Sequence, residues 1–120
     1  MSNRFCVNLT HGTDDVDRAT VGFVVANAAL SAGRETMIFL TIEAVRLAVH
    51  GHADGAQAAG FAPLTELITT FLSGGGQLLV CPPCFKARGL DEASVETGAV
   101  FGGGAKLVEF LSDGASCVSY

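Results

Sequence analysis

The chain has 120 residues, 49% hydrophobic and 16% charged, with a formal net charge of -5. That length supports one core and not two, so a single domain over residues 1–120 is expected. An acidic chain with no basic cluster argues against nucleic acid as the main partner. A mean hydropathy of +0.44 is high for this size, as a parallel sheet buried on both faces, or a surface covered by further copies of the chain, would require.

Arg4 to Leu9, RFCVNL, is rich in apolar and strand-forming residues and predicts a first strand. THGTDD follows as a loop in which Thr13, Asp14 or Asp15 can cap a helix. That helix runs to about Ala32 and ends at Gly33. Phe23, Asn27 and Leu30 share one face and Val21, Val25 and Ala28 another, the pattern of a helix sandwiched between the sheet and a neighbouring subunit. ETMIFLT predicts a second strand, EAVRLAV a short helix, and His50 to Gly60, small and glycine-punctuated, a mobile loop. Pro63 opens the helix PLTELITTFLSGG, with Leu64, Leu67, Ile68 and Phe71 as its buried stripe. QLLV is a third strand. A short helix CFKARGL, a brief strand near GAVF, a helix AKLVEFL and a last strand ASCVSY complete the chain. Alternating strands and helices imply a parallel sheet with helices on both faces.

The longest apolar stretch, Val21 to Gly33, is interrupted by Asn27 and Ser31 and is too short to span a bilayer, so no membrane partner is expected. MSNRFCVNL contains no apolar run ending in a cleavage site, so no signal peptide is visible. The expectation is a soluble cytoplasmic protein whose four cysteines are mostly reduced thiols.

In open parallel sheets ligands sit at the carboxyl ends of the strands, which selects THGTDD, TIEA, CPPC and FGGGAK. Cys81 lies at the end of a strand and before a helix start, with the helix expected to begin at Pro83, because a proline disfavours helical geometry in the residue before it. Free N–H groups of Cys84 and Phe85, with Lys86 and Arg88 nearby, favour a thiolate there. The competing reading makes both cysteines small apolar residues at a tight turn. A zinc site needs a second ligand pair, which Cys6 and Cys117, single cysteines in predicted strands, and the distant His50 and His52 do not supply, so no metal or other cofactor is expected. A thioredoxin-like fold needs a proline after the motif, and the prolines here are Pro63, Pro82 and Pro83. Gly102, Gly103 and Gly104 lack the order of a phosphate-binding loop; they could present N–H groups to an anion at a helix start, or simply form a tight turn. His11 could orient a thiolate or accept a proton, or be an exposed loop histidine. Glu43 could line the same cleft or cap a helix. Cys6 and Cys117 read as core residues.

The blocks VNLTHGTDDVDRATVGFVVANAALSAG, TMIFLTIEAVRLA and LLVCPPCFKARGL together resemble the DsrE/DsrF-like family of small sulfur-relay proteins over nearly the full length. The resemblance implies a three-layer α/β/α fold with a five-stranded parallel sheet, assembled as homo-oligomeric trimers or hexamers. It also implies a cysteine at the position of Cys81 that accepts sulfur as a persulfide from a donor protein and passes it to an acceptor, as a sulfurtransferase would. Cys84 departs from the simplest pattern, because a second thiol can attack the persulfide and release sulfide. The leading expectation is sulfur relay through Cys81, with Cys84 as a resolving or assisting thiol and His11, Glu43, Lys86 and Arg88 as supporting groups. A non-catalytic module binding a small anion or nucleotide, and a thiol-disulfide oxidoreductase using Cys81 and Cys84, stand beside it.

Overall fold

The computed structural model describes residues 2–120. Five strands, β1 (Arg4–Leu9), β2 (Glu35–Leu40), β3 (Gln77–Val80), β4 (Ala99–Phe101) and β5 (Ser116–Ser119), form one sheet in the order β4-β3-β2-β1-β5. Every pairing is parallel. Four α-helices connect them: α1 (Val16–Ser31), α2 (Leu64–Ser73), α3 (Pro82–Ala87) and α4 (Gly104–Leu111). The chain steps from β1 to β4 in one direction. It then returns to the far edge through α4, which places β5 beside β1.

Strand alternation divides the core in two. Val7, Leu9, Ile38, Leu40, Leu78 and Val80 face α1, α2 and α3, whose Phe23, Phe71 and Phe85 are fully buried against them. Cys6, Met37, Phe39 and Leu79 face the other way, under Phe110 of α4. The result is the three-layer α/β/α arrangement with a five-stranded parallel sheet. The layers are unequal. Eight residues of helix are about 12 Å long, whereas five strands span about 19 Å, so α4 leaves part of the sheet face open, with Val100 of β4 38% exposed; Val108, on α4 itself, is 66% exposed.

Several local expectations change. The segment after β2 is a 3-10 helix over Ile42–Ala48 and not a short α-helix. Pro63 is the cap of α2, not its first turn. The segment from His50 to Gly60 is folded down, not loose: Ala53 and Ala58 are buried, and the His50 N–H donates to the Ser94 carbonyl at 2.8 Å. Asp15 caps α1 by accepting from the Arg18 N–H at 3.2 Å.

Candidate thiol site

Parallel pairing in matched register puts Leu9, Leu40, Val80 and Phe101 side by side, so all four following segments leave from one rim. The ladder continues one residue past each strand. Thr41 N–H donates to the Leu9 carbonyl at 3.1 Å, Cys81 N–H to Leu40 at 3.1 Å and Gly102 N–H to Val80 at 3.0 Å. Cys81 is therefore held by a central strand at the place where ligands collect in such sheets.

Beyond Cys81 the chain turns directly into α3. Cys81 is extended (φ -65°, ψ 114°), as a residue before proline should be, and its carbonyl accepts the first helical bond from the Phe85 N–H at 3.1 Å. The helix thus begins at Pro82, not at Pro83: proline fits the first turn because the N–H it lacks has no partner there. Phe85 anchors the turn, edge-on to Phe101 with ring centroids 5.1 Å apart. Cys81 and Cys84 are both free and half-buried.

The balance of burial and charge at Cys81 runs against the expected activated thiolate. Burial pushes the Cys81 thiol above its ordinary value of 9.0; the Cys84 backbone N–H opposes this, the adjacent Cys84 thiol adds to it, and Arg88 pulls it back in part. At the start of α3 the one helping backbone N–H, that of Cys84, does not outweigh desolvation. Lys86 points to solvent and takes no part in this balance.

Glu43 and Arg88, 45 residues apart, meet here. Arg88 donates through Nε to the Glu43 carboxylate at 2.5 Å and through a terminal nitrogen to the Cys84 carbonyl at 3.1 Å. Arg46 donates to the other Glu43 oxygen at 2.9 Å. Residues three apart eclipse each other in a 3-10 helix, which aligns Arg46 with Glu43. The hydrogen bond from Arg88, then that from Arg46, hold the Glu43 carboxyl below its ordinary 4.5. Arg46 is a site residue that the sequence reading missed, although its spacing from Glu43 was a usable signal.

Two backbone features permit this approach. Ile42 has a φ of +55°, a left-handed conformation unusual for a β-branched residue, and its side chain is 50% exposed. Gly12 packs on the carbonyl of Glu43, where an added Cβ would come within 2.9 Å of the oxygen. His11, next to Gly12, turns its Nδ1 to Asp14 at 3.1 Å and makes no hydrogen bond or ion pair with Cys81 or Glu43. Burial works against ionising Asp14, but the hydrogen bonds from His11 and from the Gly12 N–H win and hold its carboxyl low. Of the three glycines, Gly102 is buried against Leu79 and the Lys106 stem, Gly103 caps α4 and Gly104 begins it. Among the described residues, no cluster of three or more His, Cys, Asp or Glu side chains could hold a metal ion, and no helix is long and apolar enough to cross a membrane.

An open parallel α/β/α sheet with a half-buried cysteine pair at its carboxyl rim is the class of protein this geometry defines. The chain belongs to the DsrE/DsrF-like family, whose model matches residues 3–120. Solved structures share the fold over 98% of this chain: the ychN protein from E. coli (TM-score 0.75, 14% identity, 99% of that chain) and MTH1491 from Methanobacterium thermoautotrophicum (TM-score 0.69, 14% identity, 98% of that chain). The protein MJ0760 of Methanocaldococcus jannaschii, itself uncharacterized, is 31% identical over 108 residues. That alignment takes in 90% of this chain and only 39% of MJ0760.

Proposed function

We propose that the chain is a cytoplasmic sulfur-relay protein, a sulfurtransferase in the sense of a persulfide carrier, in which Cys81 receives a sulfane sulfur from a donor and delivers it to an acceptor protein. The Cys81 thiolate attacks the outer sulfur of the donor persulfide, forming Cys81–S–SH and releasing the donor as its thiolate. The observation that most supports this reading is the half-buried Cys81 fixed at the end of β3 within reach of the Arg88 charge, in a chain of this family. A persulfide is a stronger acid than its parent thiol. The burial that keeps resting Cys81 protonated therefore bears less on the loaded form, whose negative charge Arg88 favours. The apolar exposure at Val100 beside α4 and at Val108 on it supports assembly as a homo-oligomer.

Incubation with a low-molecular-weight persulfide followed by peptide mass spectrometry tests the reading. A gain of one sulfur on the Cys81 peptide, lost in Cys81→Ser, is the expected result. No adduct at Cys81, or a Cys81→Ser variant that still accepts sulfur like the wild type, rules the reading out.

The nearness of Cys84, three residues on in the same turn and raising the Cys81 thiol, favours a second reading. Cys84 would attack the inner sulfur of Cys81–S–SH, leaving a Cys81–Cys84 disulfide and releasing sulfide. In that case the adduct is transient in the wild type and persists in Cys84→Ser.

A further inference from the structure

The two cysteines outside this rim were expected to be core residues. Cys6 is, at 0% exposure; Cys117 is exposed. They are register partners in the parallel pairing of β1 with β5. Side chains of register partners in neighbouring strands emerge on the same face, here the face that carries α4, where Cys6 packs with Met37, Phe39 and Phe110. Adjacent strands run about 4.8 Å apart, inside the range of about 4.4–6.8 Å over which a disulfide joins two Cα atoms.

Their surroundings differ sharply. β5 is a four-residue edge strand, so Cys117 meets solvent on a segment paired on one side only. Cys6 lies behind it, with its thiol directed at the Asn8 Oδ1 at 3.8 Å, and Asn8 in turn donates to the Ser119 hydroxyl at 3.4 Å. Burial first, then the nearness of Cys117, pushes the Cys6 thiol up to about 12. Cys6 is thus shielded from reagents in solution and adjacent, across the β1–β5 pairing, to an exposed thiol that can deliver a reaction to it.

We propose that Cys117 and Cys6 form a second thiol site, an exposed acceptor backed by a buried resolving thiol, whose substrate is a low-molecular-weight disulfide. The Cys117 thiolate attacks one sulfur of R–S–S–R, giving Cys117–S–S–R and R–S⁻. Cys6 then attacks the Cys117 sulfur, closing Cys6–S–S–Cys117 and expelling the second R–S⁻. The two cysteine protons leave with the two R–S⁻ groups as thiols, and the two electrons lost by the cysteines reduce the disulfide. The resulting bond joins the edge strand β5 to β1. The site is independent of the sulfur-relay reading, because it involves neither Cys81 nor Cys84.

The test uses the full chain with Cys81→Ser and Cys84→Ser, so that only this pair reacts, and oxidised glutathione as the probe. A mass lower by two hydrogens, with Cys6 and Cys117 recovered in one linked peptide pair, is expected. Adding Cys6→Ala should instead trap a stable glutathionyl adduct on Cys117, and adding Cys117→Ser should abolish the reaction. Peptide mapping of the wild type under the same oxidant gives the same linkage without relying on the folding of any variant. A glutathionyl adduct that persists on Cys117 while Cys6 is present overturns the proposal. So does an unmodified Cys117, or a Cys6 that reacts when Cys117 is absent.

Discussion

Ile42 offers a direct measure of the strain held at the rim. It lies at the first central position of a turn closed by the Ala44 N–H on the Thr41 carbonyl at 3.0 Å, with a φ of +55°. Mirror-image turns reserve that position for glycine, asparagine or aspartate. A left-handed conformation costs an L-residue about 1–2 kcal/mol, and glycine avoids that cost. Comparing wild type with Ile42→Gly would mix this relief with the lost packing of a side chain that is half buried, a loss of about 1 kcal/mol. Ile42→Ala against Ile42→Gly removes the side chain in both and isolates the backbone. At an ordinary φ the alanine variant would be the more stable by about 0.5–1 kcal/mol. Here the order should invert, with Ile42→Gly ahead by about 1 kcal/mol, or about 4 °C in Tm for a chain of this length. Urea denaturation of both variants, checked by thermal melting, measures the difference. An alanine variant as stable as the glycine variant, or more so, refutes the assignment of strain.

Two further outcomes concern charge at the same rim. Iodoacetamide labelling of Cys81 in a Cys84→Ser background should rise with pH and reach half its maximum above the ordinary thiol value of 9.0, and Arg88→Ala should move that midpoint higher still; a wild-type midpoint below 9.0 would show that burial does not dominate. The Glu43 carboxyl titrates below its ordinary 4.5, so its contribution to stability is complete above that value and is lost as pH falls through its lower folded value. Glu43→Gln should therefore flatten the acid side of the stability profile measured by urea midpoints, and an unchanged acid limb would show that the double arginine contact contributes nothing.

The fold was largely legible because its signals are local and repeated. Short apolar, strand-forming runs marked β1, β2 and β3, and the alternation with helices required parallel pairing. What escaped depended on tertiary neighbours. The 3-10 form of Ile42–Ala48 carries no composition signal that separates it from a short α-helix. The order of His50–Gly60 comes from the burial of Ala53 and Ala58, residues too small to announce a core. Cys117 had the look of a core residue because an edge strand shares the residue pattern of a central one, and only the topology reveals that β5 is flanked on one side.

At the rim, which side chains meet was more legible than the energetics of their meeting. Cys81, Cys84, Glu43 and Arg88 do converge, whereas His11 engages Asp14 and Lys86 stays in solvent. The direction of the Cys81 thiol was not legible because proximity in sequence stands for charge without recording what else claims that charge. Arg88 lies in the turn after the cysteines, but its guanidinium is already bonded to Glu43 and to the Cys84 carbonyl. Only a residual attraction reaches the sulfur, and desolvation exceeds it. The same arrangement gives the rim a resting state. A neutral, half-buried Cys81 is a poor target for chance oxidants, since the thiolate is the reactive form. An anionic sulfur species placed there would compete with Glu43 for Arg88. On the proposed relay, the ion pair would make the site discriminate by charge: weakly nucleophilic as a thiol, and better matched to the guanidinium once the sulfur carries a negative charge.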